Sequence, residues 1–147
     1  MKIYIGADHR GFHLKQSLID YLRLAGHDVI DEGDRQLNPD DDFPQFAGKV
    51  VAAMLAEGPE HVRGLLLCGS GQGMCMAANR FKHIRATLGY SMNAAKDGRT
   101  DENSNVLCLP VDDLNSHQAQ QIVDMWLSTP FAAAPRYVRR IHELDNM

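Results

Sequence analysis

The sequence contains no long apolar run, no surplus of basic residues and no cysteine framework. No stretch approaches the roughly 20 apolar residues that a transmembrane helix needs, and the N-terminus turns polar too early for a signal peptide. The net charge is −4, which argues against a nucleic-acid partner. Three cysteines without a CxxC pair indicate a reduced compartment instead of disulfides. We therefore expect a cytoplasmic protein with neither a membrane nor a nucleic-acid partner.

The chain also lacks internal repeats, low-complexity tracts and linker-like segments. Its 147 residues can bury one core, so we expect a single domain over residues 1–147. Short β-type runs alternate with longer amphipathic ones. Strands are predicted at residues 3–7, 28–31, 64–67, 84–89 and 106–109, and helices at 12–25, 44–57, 73–81, 91–97, 114–127 and 135–144. The apolar face of the first helix is predicted from Leu14, Leu18, Tyr21 and Leu22.

This alternation predicts an α/β fold with a five-stranded parallel sheet and helices on both faces. In such sheets, ligands bind beyond the carboxyl ends of the strands, near the point where the strand order reverses. We therefore expect function in three segments: residues 6–11, residues 68–73 and the segment before Val106.

A glycine-rich loop follows the third strand in the stretch LLLCGSGQGMCMAANR, residues 65–80. Small residues allow backbone N–H groups to approach a ligand oxygen, and a following helix presents its positive end to an anion. The loop matches neither GxxxxGK[ST] nor GxGxxG, so nucleotide binding is poorly supported. The alternative is an ordinary tight turn from strand to helix. Three glycines exceed what one turn needs, which favours anion binding.

Cys68 occupies the last strand position before this loop. A helix N-terminus favours the thiolate, so a thiol placed here is a candidate base or nucleophile. The alternative is a buried small apolar residue, which is the usual environment of cysteine. Cys75 and Cys108 are predicted to lie in the core, and Met74 and Met76 are predicted to pack there as well.

Polar residues suited to ligand binding follow the first strand and occupy the last helix. Asp8 and His9 end the first strand, although Asp8 is also a candidate helix cap. His9 and His13 are four residues apart, but no further ligands complete a metal site. The acidic run at residues 40–42 is expected to be a solvated loop. Arg136, Arg139 and Arg140 form a basic cluster, and arginine suits phosphate because its planar fork offers paired donors.

Five segments together resemble the ribose-5-phosphate isomerase B and galactose-6-phosphate isomerase family. They are IGADHRGFHLK at the start, DFPQFA at 42–47, LLCGSGQGMCMAANR in the middle, NSNVL at 103–107 and RYVRRI near the end. The resemblance covers nearly the whole chain in order. It implies a Rossmann-like α/β/α sandwich, a homodimer or homotetramer with active sites shared between subunits, and isomerisation of a sugar phosphate without metal or cofactor.

The resemblance also implies roles for individual residues. Cys68 matches the base that moves a proton between C1 and C2 through an enediolate, and Ser70 matches a residue that assists proton transfer. The loop amides of Gly69, Gly71 and Gly73 match the donors that stabilise the oxyanion. Asp8 matches a residue that contacts substrate hydroxyls. The phosphate-binding positions are matched by His9, Arg136 and Arg140.

Four positions depart from the family pattern. Asp101 stands where the family has the histidine that opens the sugar ring, and Glu102 stands where it has an asparagine that holds the enediolate. Phe43 and Tyr137 replace a tyrosine and a histidine. A carboxylate at Asp101 can still accept a hydroxyl proton, whereas an ionised Glu102 would repel a phosphate or an enediolate unless a cation such as Arg99 neutralises it.

These departures leave three hypotheses for function. The first is ribose-5-phosphate isomerisation, and its closest variant is isomerisation of another pentose or hexose phosphate, such as galactose 6-phosphate or allose 6-phosphate. The second is a non-catalytic sugar-phosphate-binding homologue. The third is an enzyme for an unphosphorylated or amino-bearing sugar, in which Asp101 and Glu102 would pair with a cationic or hydroxyl-rich group.

Overall fold

The computed structural model describes all residues, 1–147, and consists of five strands and six helices in alternation. The strands are β1 (Lys2–Ala7), β2 (Asp28–Asp31), β3 (Arg63–Cys68), β4 (Ala86–Leu88) and β5 (Val106–Pro110). The helices are α1 (Phe12–Leu24), α2 (Phe43–Glu57), α3 (Gln72–Ala78), α4 (Met92–Thr100), α5 (Ser116–Ser128) and α6 (Pro135–Asp145). No helix combines the length and apolar character needed to cross a membrane.

All five strands are parallel and are arranged in the order β2-β1-β3-β5-β4. The order reverses between β1 and β3, so the loops that follow these two strands are neighbours at one edge of the sheet. In the pairing of β3 with β5, Gly64 is opposite Val106 and Cys68 is opposite Pro110. The predicted parallel α/β fold is confirmed.

Two apolar clusters cover the two faces of the sheet, which gives the α/β/α arrangement of layers. One cluster joins the sheet to α1, α4 and α5 and contains Trp126, whose Nε1 donates a hydrogen bond to Ser104 Oγ at 2.9 Å. The other joins the sheet to α2 and α3 and contains Cys68 and Cys108. Because both faces of β3 and β5 are covered, these strands are apolar along almost their whole length.

Two helices and one strand have bounds that differ from the prediction, and side-chain hydrogen bonds act at one end of each helix. Helix α3 stops at Ala78 because the Asn79 amide binds both the N–H and the C=O of Ala86. Ser91 caps α4, accepting from the N–H of Ala94 at 3.1 Å, and the helix continues to Thr100. The predicted strand at 84–89 shortens to Ala86–Leu88.

The buried face of α1 differs from the one predicted. It contains Lys15 together with Leu18, Ile19 and Leu22, at the i, i+3, i+4 and i+7 spacing of one helix face. The ammonium of Lys15 is buried because it binds both carboxylate oxygens of Asp31, at 2.8 and 2.7 Å, at the end of β2. The lysine therefore joins α1 to the segment that follows β2.

Candidate active site

The predicted site residues lie at opposite ends of the parallel strands. We call these two sides of the sheet the carboxyl edge, where the strands end, and the amino edge, where they begin. β3 ends at Cys68, whereas the segment with Asp101 and Glu102 precedes Val106, which pairs with Gly64. Four residues along a strand separate these levels by roughly 13 Å. The expectation that the segment before Val106 lies at the carboxyl edge is therefore wrong. Helix α4 returns the chain to the amino edge before β5 begins, so Asp101 and Glu102 lie far from Cys68 of the same chain.

The two predicted phosphate-binding arginines also lie at the amino edge, on α6. The segment before α6 is fixed there by the Ala132 N–H, which donates to Thr100 O at 3.0 Å. The end of α6 is fixed by Asp145, whose carboxylate accepts from Arg85 Nη1 at 2.9 and 3.0 Å. Arg136 and Arg140 lie between these two anchors and are exposed. Within one chain, they do not join His9.

The Cys68 thiol lies at the carboxyl edge, only 5% exposed, at the start of the glycine-rich loop. Burial raises its pKa, and the nearby carboxylate of Asp8 raises it further. The backbone N–H groups of Met74, Gly71 and Gly73 lie near the sulfur and act in the opposite direction, lowering the pKa. The expectation that the helix start makes the thiolate the favoured form is wrong for the free protein, because desolvation outweighs these amides.

The three loop glycines have close neighbours of different kinds, and those of Gly69 belong to the exposed side chains of Arg10 and Asp112, which can move aside. A Cβ on Gly69 would lie 2.9 Å from Arg10 Nε and from Asp112 Oδ2, and one on Gly73 would lie 2.8 Å from Phe43 Cζ. Gly71 has a φ of +72°, in the left-handed region that favours glycine. The loop is thus a tight strand-to-helix turn, as one of the two interpretations of the sequence predicts. Anion binding by its amides stays a prediction.

Asp8 organises the loop after β1. Its Oδ1 accepts from the N–H groups of Arg10 and Gly11 at 3.0 and 3.1 Å, and burial raises its pKa. The N-cap of α1 itself is Gly11, so Asp8 closes the preceding turn and does not cap the helix. His9 lies in this turn and is partly exposed. The next residue, Arg10, forms an ion pair with Asp112 at 2.6 Å, and both side chains lie beside Gly69 of the glycine-rich loop.

His9 has a partner that sequence reasoning missed. Its Nδ1 is 2.7 Å from Asp41 Oδ1, and this hydrogen bond is the main cause that raises the His9 pKa. The side chain of Asp41 is only 6% exposed, so the prediction of a solvated acidic run is wrong for this residue. Nothing in a run of three aspartates distinguishes the buried one. Asp40 and Asp42 are exposed, as predicted.

Two other predicted residues lie on the surface of the same edge. Ser70 is exposed, and its Oγ accepts a long hydrogen bond of 3.4 Å from the Gln72 N–H. Phe43, the first residue of α2, is 37% exposed and covers Gly73. Met76 is 67% exposed, against the prediction that it packs in the core, and with Phe81 it extends an apolar patch from Phe43. We call Phe43, Met76 and Phe81 the α2–α3 patch.

The other two cysteines lie between α3 and the sheet, Cys75 on α3 and Cys108 on β5. Cys108 is completely buried, as predicted. Cys75 is half-buried and donates a hydrogen bond from Sγ to Ala86 O at 3.4 Å. A hydrogen bond with Cys108 lowers the Cys75 pKa. If a low pKa alone identified the reactive thiol, it would be Cys75. Of the three cysteines, however, only Cys68 lies at the start of the glycine-rich loop.

At the amino edge, Glu102 is exposed in a basic cleft and Asp101 ends α4. The charged side chains lining the cleft with Glu102 are Arg80, Lys82, His83, Arg85 and Asp145. Arg99 does not neutralise either new carboxylate. It is buried, donates to Asn103 Oδ1 at 2.8 Å and to Ser104 O at 2.5 Å, and has its pKa lowered to about 10 by burial and by neighbouring arginines.

The two histidines with the four-residue spacing do not share a helix face. His9 lies in the loop before α1, whereas His13 is exposed on α1. No group of three or more histidine, cysteine or carboxylate side chains is placed to hold a metal ion.

Comparison with known proteins gives one consistent family. A family model described as Ribose/Galactose Isomerase matches residues 3–144. Ribose-5-phosphate isomerase B of Mycolicibacterium paratuberculosis is 36% identical over 141 residues, which cover 96% of this chain and 87% of that protein. The enzyme of the same name from Escherichia coli is 34% identical over 143 residues, covering 97% and 93%.

Two solved structures match equally completely. Ribose 5-phosphate isomerase of Thermotoga maritima is 40% identical, with a TM-score of 0.93 over 99% of this chain and 98% of that one. Ribose-5-phosphate isomerase B of Mycoplasma genitalium, solved with bound ribulose 5-phosphate, is 34% identical, with a TM-score of 0.94 over 99% and 94%. Fold and sequence agree along the whole chain, and the protein therefore belongs to the ribose/galactose isomerase family.

Proposed function

We propose that this protein is a ribose-5-phosphate isomerase, which interconverts ribose 5-phosphate and ribulose 5-phosphate as one domain over residues 1–147. Its relatives carry this name, and one of them was solved with bound ribulose 5-phosphate. The observation that carries the proposal is the Cys68 thiol, buried at the carboxyl end of β3 where the glycine-rich loop and the start of α3 follow. We assign the reduced cytoplasm as its compartment, which suits three free thiols.

The proposed reaction is a proton transfer between neighbouring carbons. The Cys68 thiolate removes the proton from C2 of the open-chain aldose, and the electron pair forms a C1–C2 double bond while the carbonyl oxygen takes up negative charge. The amides of Gly69, Gly71 and Gly73 stabilise this enediolate, because preorganised donors act strongly where water is excluded. Ser70 moves a proton between the two oxygens, and the thiol then returns its proton to C1.

The raised pKa of Cys68 gives the reaction a pH dependence. Because the thiolate is the base, the active fraction increases with pH until the Cys68 pKa is passed. The ordinary thiol pKa is about 8.5, so kcat/KM is expected to keep rising above that pH.

Substrate binding requires groups from both edges of the sheet, which a second copy of the chain supplies. We propose a homodimer, or a tetramer built from it, in which the amino edge of one subunit meets the carboxyl edge of its partner. Helix α6 supports this proposal because it is strongly amphipathic and none of its residues is buried. Its apolar face is formed by Tyr137, Val138, Ile141 and Leu144. This face and the α2–α3 patch are the surfaces that the association would cover.

In such a dimer, the phosphate and the sugar contact residues from both subunits. His9 and the partner-supplied pair Arg136 and Arg140 would bind the phosphate, while Asp8 and Phe43 would contact the sugar. Asp101 would accept the hydroxyl proton during ring opening. Glu102 would enter this composite site from a cleft that it shares with Arg80, Lys82 and Arg85.

The pair Asp101 and Glu102 favours one variant of this function, isomerisation of a different sugar phosphate. The two carboxylates stand where the family has the histidine that opens the sugar ring and the asparagine that holds the enediolate. Because these positions contact the sugar, their change favours a different sugar, and a hexose phosphate such as galactose 6-phosphate or allose 6-phosphate is the second candidate. A homologue that binds sugar phosphate without turnover is the outcome if neither class reacts.

The test is proton exchange in D2O, followed by NMR with each candidate sugar phosphate. We expect deuterium to enter at C2 of ribose 5-phosphate and at C1 of ribulose 5-phosphate. Cys68→Ala is expected to reduce exchange by at least about 10³-fold because the base is lost, with unchanged circular dichroism. Cys75→Ala is the matched control and should retain exchange, although its thiol has the lower pKa. Exchange that survives in Cys68→Ala would refute the assignment of the base.

A further inference from the structure

The imidazole of His9 is hydrogen-bonded to a buried carboxylate, that of Asp41. Asp41 Oδ1 lies 2.7 Å from His9 Nδ1, and the Asp41 side chain is 6% exposed. The His9 side chain retains 36% exposure, so the pair has a covered carboxylate and an accessible imidazole. This differs from a surface ion pair, in which both side chains move in water.

The backbone on both sides of Asp41 is fixed by further hydrogen bonds. The Asp41 N–H donates to Asn38 O at 3.3 Å, and the next carbonyl, that of Asp42, accepts from Gln45 in the first turn of α2 at 3.1 Å. The start of the same loop is tied to α1, because Lys15 Nζ donates to Asp34 O at 2.9 Å. The loop that carries Asp41 is therefore fixed at both ends, which holds the Asp41 carboxylate next to His9.

The hydrogen bond selects one form of the imidazole. An ionised carboxylate only accepts hydrogen bonds, so the His9 nitrogen that faces it, Nδ1, carries a proton. The charged groups around His9 are Asp41 and Asp8, which raise its pKa, and Arg10, which lowers it and is itself paired with Asp112. The bond to Asp41 is the largest of these effects, so His9 stays doubly protonated over a wider pH range than a free histidine.

We propose that Asp41 is a positioning residue that fixes the His9 imidazole through Nδ1 and leaves Nε2 as an N–H donor to the phosphate of the substrate. The inference rests on the proposed function, since it takes phosphate as the anion that His9 binds. Asp41 touches no substrate atom; it acts on phosphate binding through the orientation and charge of His9.

The experiment compares Asp41→Asn with Asp40→Asn, a neighbouring aspartate that is exposed. Asparagine keeps an oxygen acceptor for Nδ1 but removes the charge. Histidine ¹⁵N NMR over pH 5 to 9 reports the protonation of His9, and titration with inorganic phosphate at pH 6 and pH 8 reports anion affinity. Steady-state kinetics with ribose 5-phosphate at the same pH values separates KM from kcat.

We expect the His9 titration to move to lower pH in Asp41→Asn and to stay at the wild-type position in Asp40→Asn. At pH 8, KM and the dissociation constant of phosphate should rise about tenfold, as for the loss of one charge-assisted hydrogen bond, with little change in kcat. At pH 6 the increase should be smaller, because the imidazole is protonated in both proteins.

Two results separate this inference from the proposed function. An unchanged His9 titration in Asp41→Asn, or a rise in KM that is the same at both pH values, overturns the role of Asp41. A wild-type protein that never isomerises ribose 5-phosphate overturns the proposed function instead. The NMR and phosphate titrations need no turnover, so they still decide whether Asp41 controls His9.

Discussion

Removal of one partner from the buried ion pair between Lys15 and Asp31 is expected to destabilise the protein strongly, because the other charge stays buried. The Lys15 side chain is completely buried, and its ammonium binds both Asp31 oxygens and the carbonyl of Asp34. The change we consider is Asp31→Asn, which leaves the ammonium buried with neutral acceptors. It does not alter the apolar contacts of α1.

The size of the effect follows from the exposure of the two partners. Removing one member of a buried pair costs roughly 3–5 kcal/mol of the free energy of unfolding, because an uncompensated charge stays buried. Asp31 is 22% exposed, so water reaches the site after the substitution and the lower end, about 3 kcal/mol, applies. For a protein of this size, that corresponds to a fall in Tm of roughly 6–12 °C.

Urea unfolding of a double-mutant cycle is the assay. Lys15→Met removes the charge but keeps an unbranched apolar side chain, and it leaves Asp31 bonded to the Gly33 N–H at 2.8 Å. The double variant Lys15→Met/Asp31→Asn is therefore expected to be more stable than Asp31→Asn alone, with a coupling energy of at least about 1 kcal/mol. Strictly additive effects of the two substitutions would refute the reasoning.

Two further predictions concern the glycine-rich loop and the association of subunits. Gly71→Ala should lower the free energy of unfolding by about 2–3 kcal/mol, because it adds left-handed strain to contacts of 2.5 Å with Leu88 Cδ1 and 3.1 Å with Pro110 N. The control is Gly26→Ala, because Gly26 has a φ of +87° but an added Cβ would meet no atom within 4 Å. In urea unfolding, this variant should lose only about 1 kcal/mol of the free energy of unfolding. Equal losses in the two variants would contradict the packing argument. Ile141→Asp on the apolar face of α6 should shift the protein to monomer in sedimentation experiments and abolish exchange, whereas a monomeric wild-type protein would contradict the shared site.

The sequence by itself determined the order and type of the elements. Alternation of short apolar runs with amphipathic ones depends on local periodicity, and the buried strands β3 and β5 were recognisable because both of their faces are covered. The residues beside each strand end were also recognisable, including Cys68 and the glycine-rich loop after it, whereas only the structure shows that Gly71 is the loop glycine with a positive φ. The family resemblance, carried by contiguous motifs, is confirmed.

Tertiary structure decided which of these residues meet. The chain direction of α4 places Asp101 and Glu102 at the opposite edge from Cys68, a result that depends on crossover connections and not on spacing in the sequence. The burial of Lys15 and Asp41 depends on partners 16 and 32 residues away, Asp31 and His9. The pKa of Cys68 was likewise misjudged from local reasoning, since the helix start is a local feature whereas desolvation is set by the whole packed edge.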